Sequence, residues 1–191
     1  MFILRSSLWT CFYCVDTDKT RVYLERSKSS PIRLQIDRED GLSPHDPLFQ
    51  VIPHTISRLK SLSMKITPES ISEIATHLSH PAPLLEDLSI DCGYEFEPWD
   101  NPVLTTSLFD GNLSSLRILD LRYVRTALPW RNMVNLTSFA LGVTPPGEVS
   151  MGQLLDFFES SPRLEGSNSS SQPRPLVPKM ADWYHWNVSS G

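Results

Sequence analysis

"SSLRILDLRYV", residues 114–124, decides how this chain is read. Leu116, Leu119 and Leu121 stand in the frame Leu-x-x-Leu-x-Leu. Apolar alternation over so few residues describes a strand with one buried face. The frame recurs at Leu59, Leu62 and Met64, at Leu85, Leu88 and Ile90, and at Leu136, Phe139 and Leu141. A partial copy, Ile32, Leu34 and Ile36, lies in "PIRLQID". The middle residues of the five copies are 34, 62, 88, 119 and 139, so the steps are 28, 26, 31 and 20 residues. An isolated strand cannot bury its apolar face, whereas stacked copies cover one another. The frame therefore predicts a parallel sheet along one side of a solenoid.

Parallel strands need crossover connections, usually helical. In "SISEIATHLS", residues 70–79, Ile71, Ile74, Ala75 and Leu78 form one helical stripe. Ser70 and Glu73 have the spacing of a capping box, which satisfies free N–H groups at a helix start. "SMGQLLDFFES", residues 150–160, repeats the spacing with Met151, Leu154, Leu155 and Phe158, and the cap with Ser150 and Gln153. A weaker helix is expected in "PLFQVIPHTISRL", using Leu48, Phe49, Ile52 and Ile56, with Pro53 kinking it or marking its start.

The expected fold is α/β: a short, irregular leucine-rich-repeat-like solenoid with a parallel sheet over residues 26–165, preceded by a remnant over 1–25. It is expected to be truncated at its C-terminal end. "PAPLLEDLSI" follows the first helix and "SSPRLEGSNS" the second, aligning Pro83 with Pro162, Leu85 with Leu164 and Glu86 with Glu165. Ser167 and Ser169 then stand where the next strand needs apolar residues. Residues 166–191 read as a disordered Ser/Pro-rich tail, since such a composition buries too little apolar area to order itself. Trp183, Tyr184 and Trp186 in that tail have no periodic partner. A docking peptide is one reading of them, and an unrelated tail left by truncation or mis-splicing is the preferred one.

Composition narrows the function. A net charge of -5 and a pI near 5.5 oppose phosphate-backbone binding, which needs clustered Lys and Arg. The short cluster of Arg26 and Lys28 reads as a solvated loop. No apolar run reaches the ~18 residues of a membrane span. The apolar N-terminus is broken by Arg5 and lacks the pattern of a signal peptide. The three cysteines make no complete disulfide framework, so the expected location is reducing, cytoplasmic or nuclear. The sequons at Asn112, Asn135, Asn168 and Asn187 read as chance.

No catalytic constellation emerges, and neither cofactor nor metal is expected. Cys11 and Cys14 form C-x-x-C, but no βαβ pattern follows and no second pair supplies a zinc site. His77 and His80 read as helix-end residues that favour the dipole and cap carbonyls. Glu95, Glu97 and Asp100 around Trp99 read as a solvated loop. No nucleophile elbow, phosphate-cradling Gly loop or dinucleotide fingerprint is present.

Seven phrases in order resemble fungal F-box proteins with degenerate leucine-rich repeats: "SLWT", "YLERSKSSPIRLQI", "IPHTISRLKSLSM", "LSHPAPLLEDLSI", "SLFDGNLSSLRILDLRYV", "LPWRNMVNLTSFAL" and "QLLDFFESSPRLE". The resemblance covers roughly residues 7 to 165. It implies an F-box that docks on the adaptor of a cullin-type ubiquitin ligase, with repeats behind it that hold the substrate. Only the closing Leu8 and Trp9 of the F-box are present here, so adaptor docking is doubtful. The position where such repeats carry Asn or Cys holds Thr67, Gly93, Val124 and Thr144, of which only the threonines offer a side-chain hydrogen bond.

What remains is surface. Residues between the buried ones point to the concave face of the sheet. They are Arg33, Gln35 and Asp37; Ser61, Ser63 and Lys65; Asp87, Ser89 and Asp91; Ile118, Asp120 and Arg122; and Ser138, Ala140 and Gly142. The expected function is a non-enzymatic module binding a protein of unknown identity, with no nucleic acid and no membrane. The alternatives are a small redox or zinc-binding protein using Cys11 and Cys14, and a non-functional fragment of a longer gene product.

Overall fold

A computed structural model describes residues 11–13, 16–36, 40–93, 103–104, 108–126, 133–141 and 151–164. Six strands form one parallel sheet: β1 (Cys11–Tyr13), β2 (Ile32–Ile36), β3 (Leu59–Lys65), β4 (Asp87–Asp91), β6 (Ile118–Arg122) and β8 (Ser138–Leu141). They lie side by side in chain order. β5 (Val103–Leu104) and β7 (Arg125–Thr126) pair separately, also in parallel.

The repeat frame sets the register. Leu34, Leu62, Leu88, Leu119 and Phe139 stand in one row across the sheet. Ile36, Met64, Ile90, Leu121 and Leu141 form the next. Every described side chain of the two rows is buried. A shift of one residue in any strand would turn its apolar set toward solvent, so burial itself enforces the alignment.

A second ladder precedes the strands. The N–H of Leu85 bonds to the carbonyl of Ala82, Leu116 to Leu113, Leu136 to Met133, and Leu164 to Ser161. Each turn opens on a buried residue and delivers its leucine toward the core. Residues 161–164 thus repeat the geometry that precedes β4, β6 and β8, in keeping with the alignment of Leu85 with Leu164. Ser161 fills its buried place with a hydroxyl that donates to the carbonyl of Met133 at 3.0 Å. The 166–191 tail, including Trp183, Tyr184 and Trp186, lies outside the described residues.

The segment expected as a remnant over 1–25 contains a strand and most of a helix. β1 pairs in parallel with β2 through a crossover, α1 (Thr17–Ser27). Asp16 caps α1, its Oδ1 accepting from the N–H groups of Asp18 at 2.9 Å and Lys19 at 3.2 Å. The helix was not legible because its residues are mostly polar, with only Tyr23 and Leu24 packed against the core among its larger apolar groups.

The other helices lie against the apolar side of the sheet. Between β2 and β3, 3₁₀ turns at Pro47–Gln50 and Ile56–Arg58 flank the short α2 (Val51–Thr55). Leu48, Phe49, Ile52 and Ile56 are all buried, as their spacing predicts. The start is Pro47 rather than Pro53, because Asp46 Oδ1 accepts from the N–H of Leu48 at 2.9 Å.

α3 (Ile71–His77) buries Ile71, Ile74 and Ala75 along the predicted stripe, and Leu78 just beyond it is buried too. The capping box is not made. Ser70 already has helical backbone angles, φ -82° and ψ -7°, following a 3₁₀ turn over Pro68–Ser70. Its buried hydroxyl donates to the carbonyl of Leu42 at 2.6 Å and lies 3.0 Å from the Thr67 hydroxyl. Glu73 accepts from the N–H of His45 at 2.7 Å. Both groups fasten α3 to the preceding loop instead of closing on its own first turn. Thr67 thereby contributes the side-chain hydrogen bond its repeat position allows.

α4 (Met151–Ser160) corrects the predicted stripe. Phe157 is its buried anchor, 4.8 Å from Phe139 between ring centroids. Leu155 and Phe158 are exposed, at 56% and 41%. The i, i+3, i+4, i+7 spacing fits more than one face of an apolar helix, and the ring of Phe139 selects Phe157. Ser150 lies outside the described residues, and nothing is assigned to the side chains of Met151, Gln153 and Leu154.

Gly41 sits beside the α3 attachment with φ +77°, and a Cβ there would come within 2.9 Å of the Ile66 carbonyl carbon. Gly41→Ala is expected to cost at least about 1 kcal/mol, from the left-handed backbone and this clash together. Urea unfolding with an unchanged midpoint would contradict that.

Candidate functional site

The face of the sheet opposite the core carries the functional candidates. Three rows cross it. Arg33, Ser61, Asp87, Ile118 and Ser138 form the first, and Gln35, Ser63, Ser89, Asp120 and Ala140 the second. Lys65, Asp91 and Arg122 form the third. Register therefore brings together thirteen of the fifteen predicted face residues, while Asp37 and Gly142 lie outside the described residues. Arg33 and Ile118 are exposed, and most of the others are half-buried.

Asp120 departs from the pattern: its residue is 5% exposed although it faces away from the core. Arg122, two residues along the same strand, clasps it with two hydrogen bonds. Nε donates to Oδ1 and Nη2 to Oδ2, each at 3.0 Å. The carboxylate raises the arginine pKa above its ordinary value, chiefly through these bonds. Alternation along β6 puts Asp120 and Arg122 on one face, so the pairing was available from their i, i+2 spacing but was not drawn from it.

The second and third rows border an open hollow of about 190 Å³, lined by Gln35, Ser63, Lys65, Ser89, Asp91, Asp120 and Arg122, with Ile36 and Met64 below. Asp91 accepts from the N–H of Gly93 at 2.9 Å through one oxygen. The lining has two cationic and two anionic side chains, and hydroxyls at its centre. It offers hydrogen bonds, with no nucleophile paired to a base.

Other sequence candidates resolve separately. Cys11 is exposed on β1, and Cys14 lies outside the described residues. Cys92 is 3% exposed, and burial pushes its thiol up to about 12, with Asp91 and Glu69 adding to the rise. A thiol-selective alkylating agent at pH 8 is expected to leave Cys92 unmodified in the native protein and modify it once urea is added, since the thiolate is the reactive form. Peptide mapping showing Cys92 modified as fast as Cys11 would contradict this. The Glu95, Glu97, Trp99 and Asp100 loop lies outside the described residues. Among the described residues, no group of three His, Cys, Asp or Glu could hold a metal ion, and no helix is long and apolar enough to cross a membrane.

His77 stands at the end of α3, as its place in the sequence predicts. Its ring stacks on Phe49, with centroids 6.2 Å apart. Burial lowers its pKa; Glu73 opposes this and His80 adds to it. The unfolded chain therefore binds the proton more readily. His77 costs no stability above its ordinary value of 6.5, and stability falls as pH drops from there through the lower folded pKa. The effect is small at a half-buried ring. His77→Gln is expected to flatten stability between pH 7 and 5, and an unchanged slope would contradict it.

No family model, curated protein or solved structure matches the chain, so the reading of this face rests on its own geometry.

Proposed function

We propose that the chain is a non-enzymatic protein-binding module, a short irregular leucine-rich-repeat-like solenoid resembling the substrate-recognition part of fungal F-box ubiquitin-ligase adaptors. The observation that carries the reading is the polar face itself. One repeat frame aligns five strands, buries alternate residues, and leaves the intervening ones in rows on a single surface. A continuous sheet face of this kind suits an extended or knobbed protein surface, as in other repeat proteins. Its mixed charge disfavours a polyanion, and hydroxyls and paired ions suit a polar protein partner. The adaptor-docking half stays outside this proposal.

Site-specific photo-crosslinking tests the reading. A photoreactive phenylalanine is placed at Ser61, Ser89 or Ser138 on the face, and at exposed Ser72 or Thr76 on α3. Discrete protein adducts are expected in cells from the three face positions and not from the two helix positions. No adducts, or the same adducts from both sides, would contradict it.

A further inference from the structure

Resting on that reading, we infer that the hollow at the centre of the polar face receives an uncharged carboxamide side chain, Asn or Gln, from an extended partner segment.

Size comes first. Small-molecule and cofactor sites run from ~300 to 1,000 Å³. A hollow of about 190 Å³ is too small for most of them and holds one side chain. Its shape follows from residue size. Ser63 and Ser89 are short and adjacent in register, with Gln35 rising on one side and the Asp120–Arg122 clasp on the other.

Charge excludes most candidates. Lys65 and Arg122 balance Asp91 and Asp120, so the lining is neutral. Both oxygens of Asp120 are engaged by Arg122. An inserted Lys, although Asp91 offers it one oxygen, would meet the like charges of Lys65 and Arg122, and an inserted Glu would meet those of Asp91 and Asp120. An apolar side chain would strip water from the hydroxyls and return no hydrogen bond.

The remaining hydrogen-bond inventory matches an amide. Asp91 gives one oxygen to the N–H of Gly93, and its second oxygen accepts from no protein group among the described residues. Ser63, Ser89 and Gln35 likewise spend no side-chain hydrogen bond on the described protein. Such a set offers an acceptor for an NH₂ group, and hydroxyl and amide donors for a carbonyl. The clasp fixes the wall, because Arg122 is held by two bonds.

A random peptide library displayed on phage, panned against the intact chain, supplies the probe. Selected peptides are measured against the wild type, Ser89→Leu, which fills the hollow, and Ser61→Leu, which adds the same bulk to the face outside it. Thermal melts confirm that both variants fold. The inference expects peptides sharing one Asn or Gln. Their affinity should fall at least about tenfold with Ser89→Leu, and with Asn/Gln→Asp or →Leu in the peptide, and change less than about twofold with Ser61→Leu. Peptides that depend on Ser89 but share a charged or apolar anchor would overturn the carboxamide while leaving the protein-binding reading standing. Peptides indifferent to both substitutions, or no selected peptides, would overturn both.

Discussion

Leu119→Ala is expected to lower the free energy of unfolding by about 2–5 kcal/mol, and Leu88→Ala by a similar amount. Both side chains are 0% exposed and adjacent in one row, with Leu62 on one side and Phe139 on the other. The cost combines lost transfer energy with a cavity that the neighbouring strands, held in register, cannot close. Domains of this size have ~5–15 kcal/mol in total, so either change would consume a large share. The two residues touch the same core region, so the double variant should depart from the sum of the singles. Urea unfolding followed by circular dichroism measures all three. Losses below about 1 kcal/mol at both sites would mean that the repeat frame does not set the core.

Phe157→Ala carries the second large effect, and it is local. Phe157 is 0% exposed against Phe139, while Leu155 and Phe158 on the same helix face solvent. Truncating a buried Phe costs about 3–5 kcal/mol. α4 and the 161–164 turn come last among the described residues, and other tethers join this ring in holding them. Among these tethers are the Ser161 hydroxyl bond to Met133 and a 3.3 Å bond from Arg163 to Asn135. The loss should therefore fall on the terminal unit, since stacked units open from their ends. Hydrogen exchange should show protection lost over 151–164 and kept over 59–92. Leu155→Ala, at an exposed site, should leave both regions unchanged. Uniform loss across the chain after Phe157→Ala would show that the terminal unit does not open separately.

The legibility of the chain followed from which signals are local. The Leu-x-x-Leu-x-Leu frame of Leu116, Leu119 and Leu121 is a property of a few consecutive residues, so strands and register were readable. The stripe of α3 was readable for the same reason. α1 was not, since a mostly polar helix gives no apolar period, and its cap at Asp16 is one residue. The capping box at Ser70 and Glu73 failed because partners 28 residues away, Leu42 and His45, took the same groups. The choice of Phe157 over Phe158 rests on the position of Phe139, which spacing within α4 does not encode. At the candidate site, alternation identified which residues share the face. The clasp by Arg122 was open to reading from the i, i+2 spacing, whereas the burial of Asp120 depends on the neighbouring strands, which is a tertiary property.

The most direct test is a distance across the sheet. Spin labels at Arg33→Cys and Ser138→Cys, with Cys11 and Cys14 replaced by Ser, mark β2 and β8 in the first face row, which β1 extends by one strand at position 11. Those positions are separated by four strand spacings if β2, β3, β4, β6 and β8 lie side by side in register. Pulsed electron paramagnetic resonance should then give one narrow population near 20–25 Å, four spacings of about 4.8 Å plus the label arms. A broad distribution, or one centred at twice that distance, would contradict a single in-register sheet, and with it the polar face on which the proposed function rests.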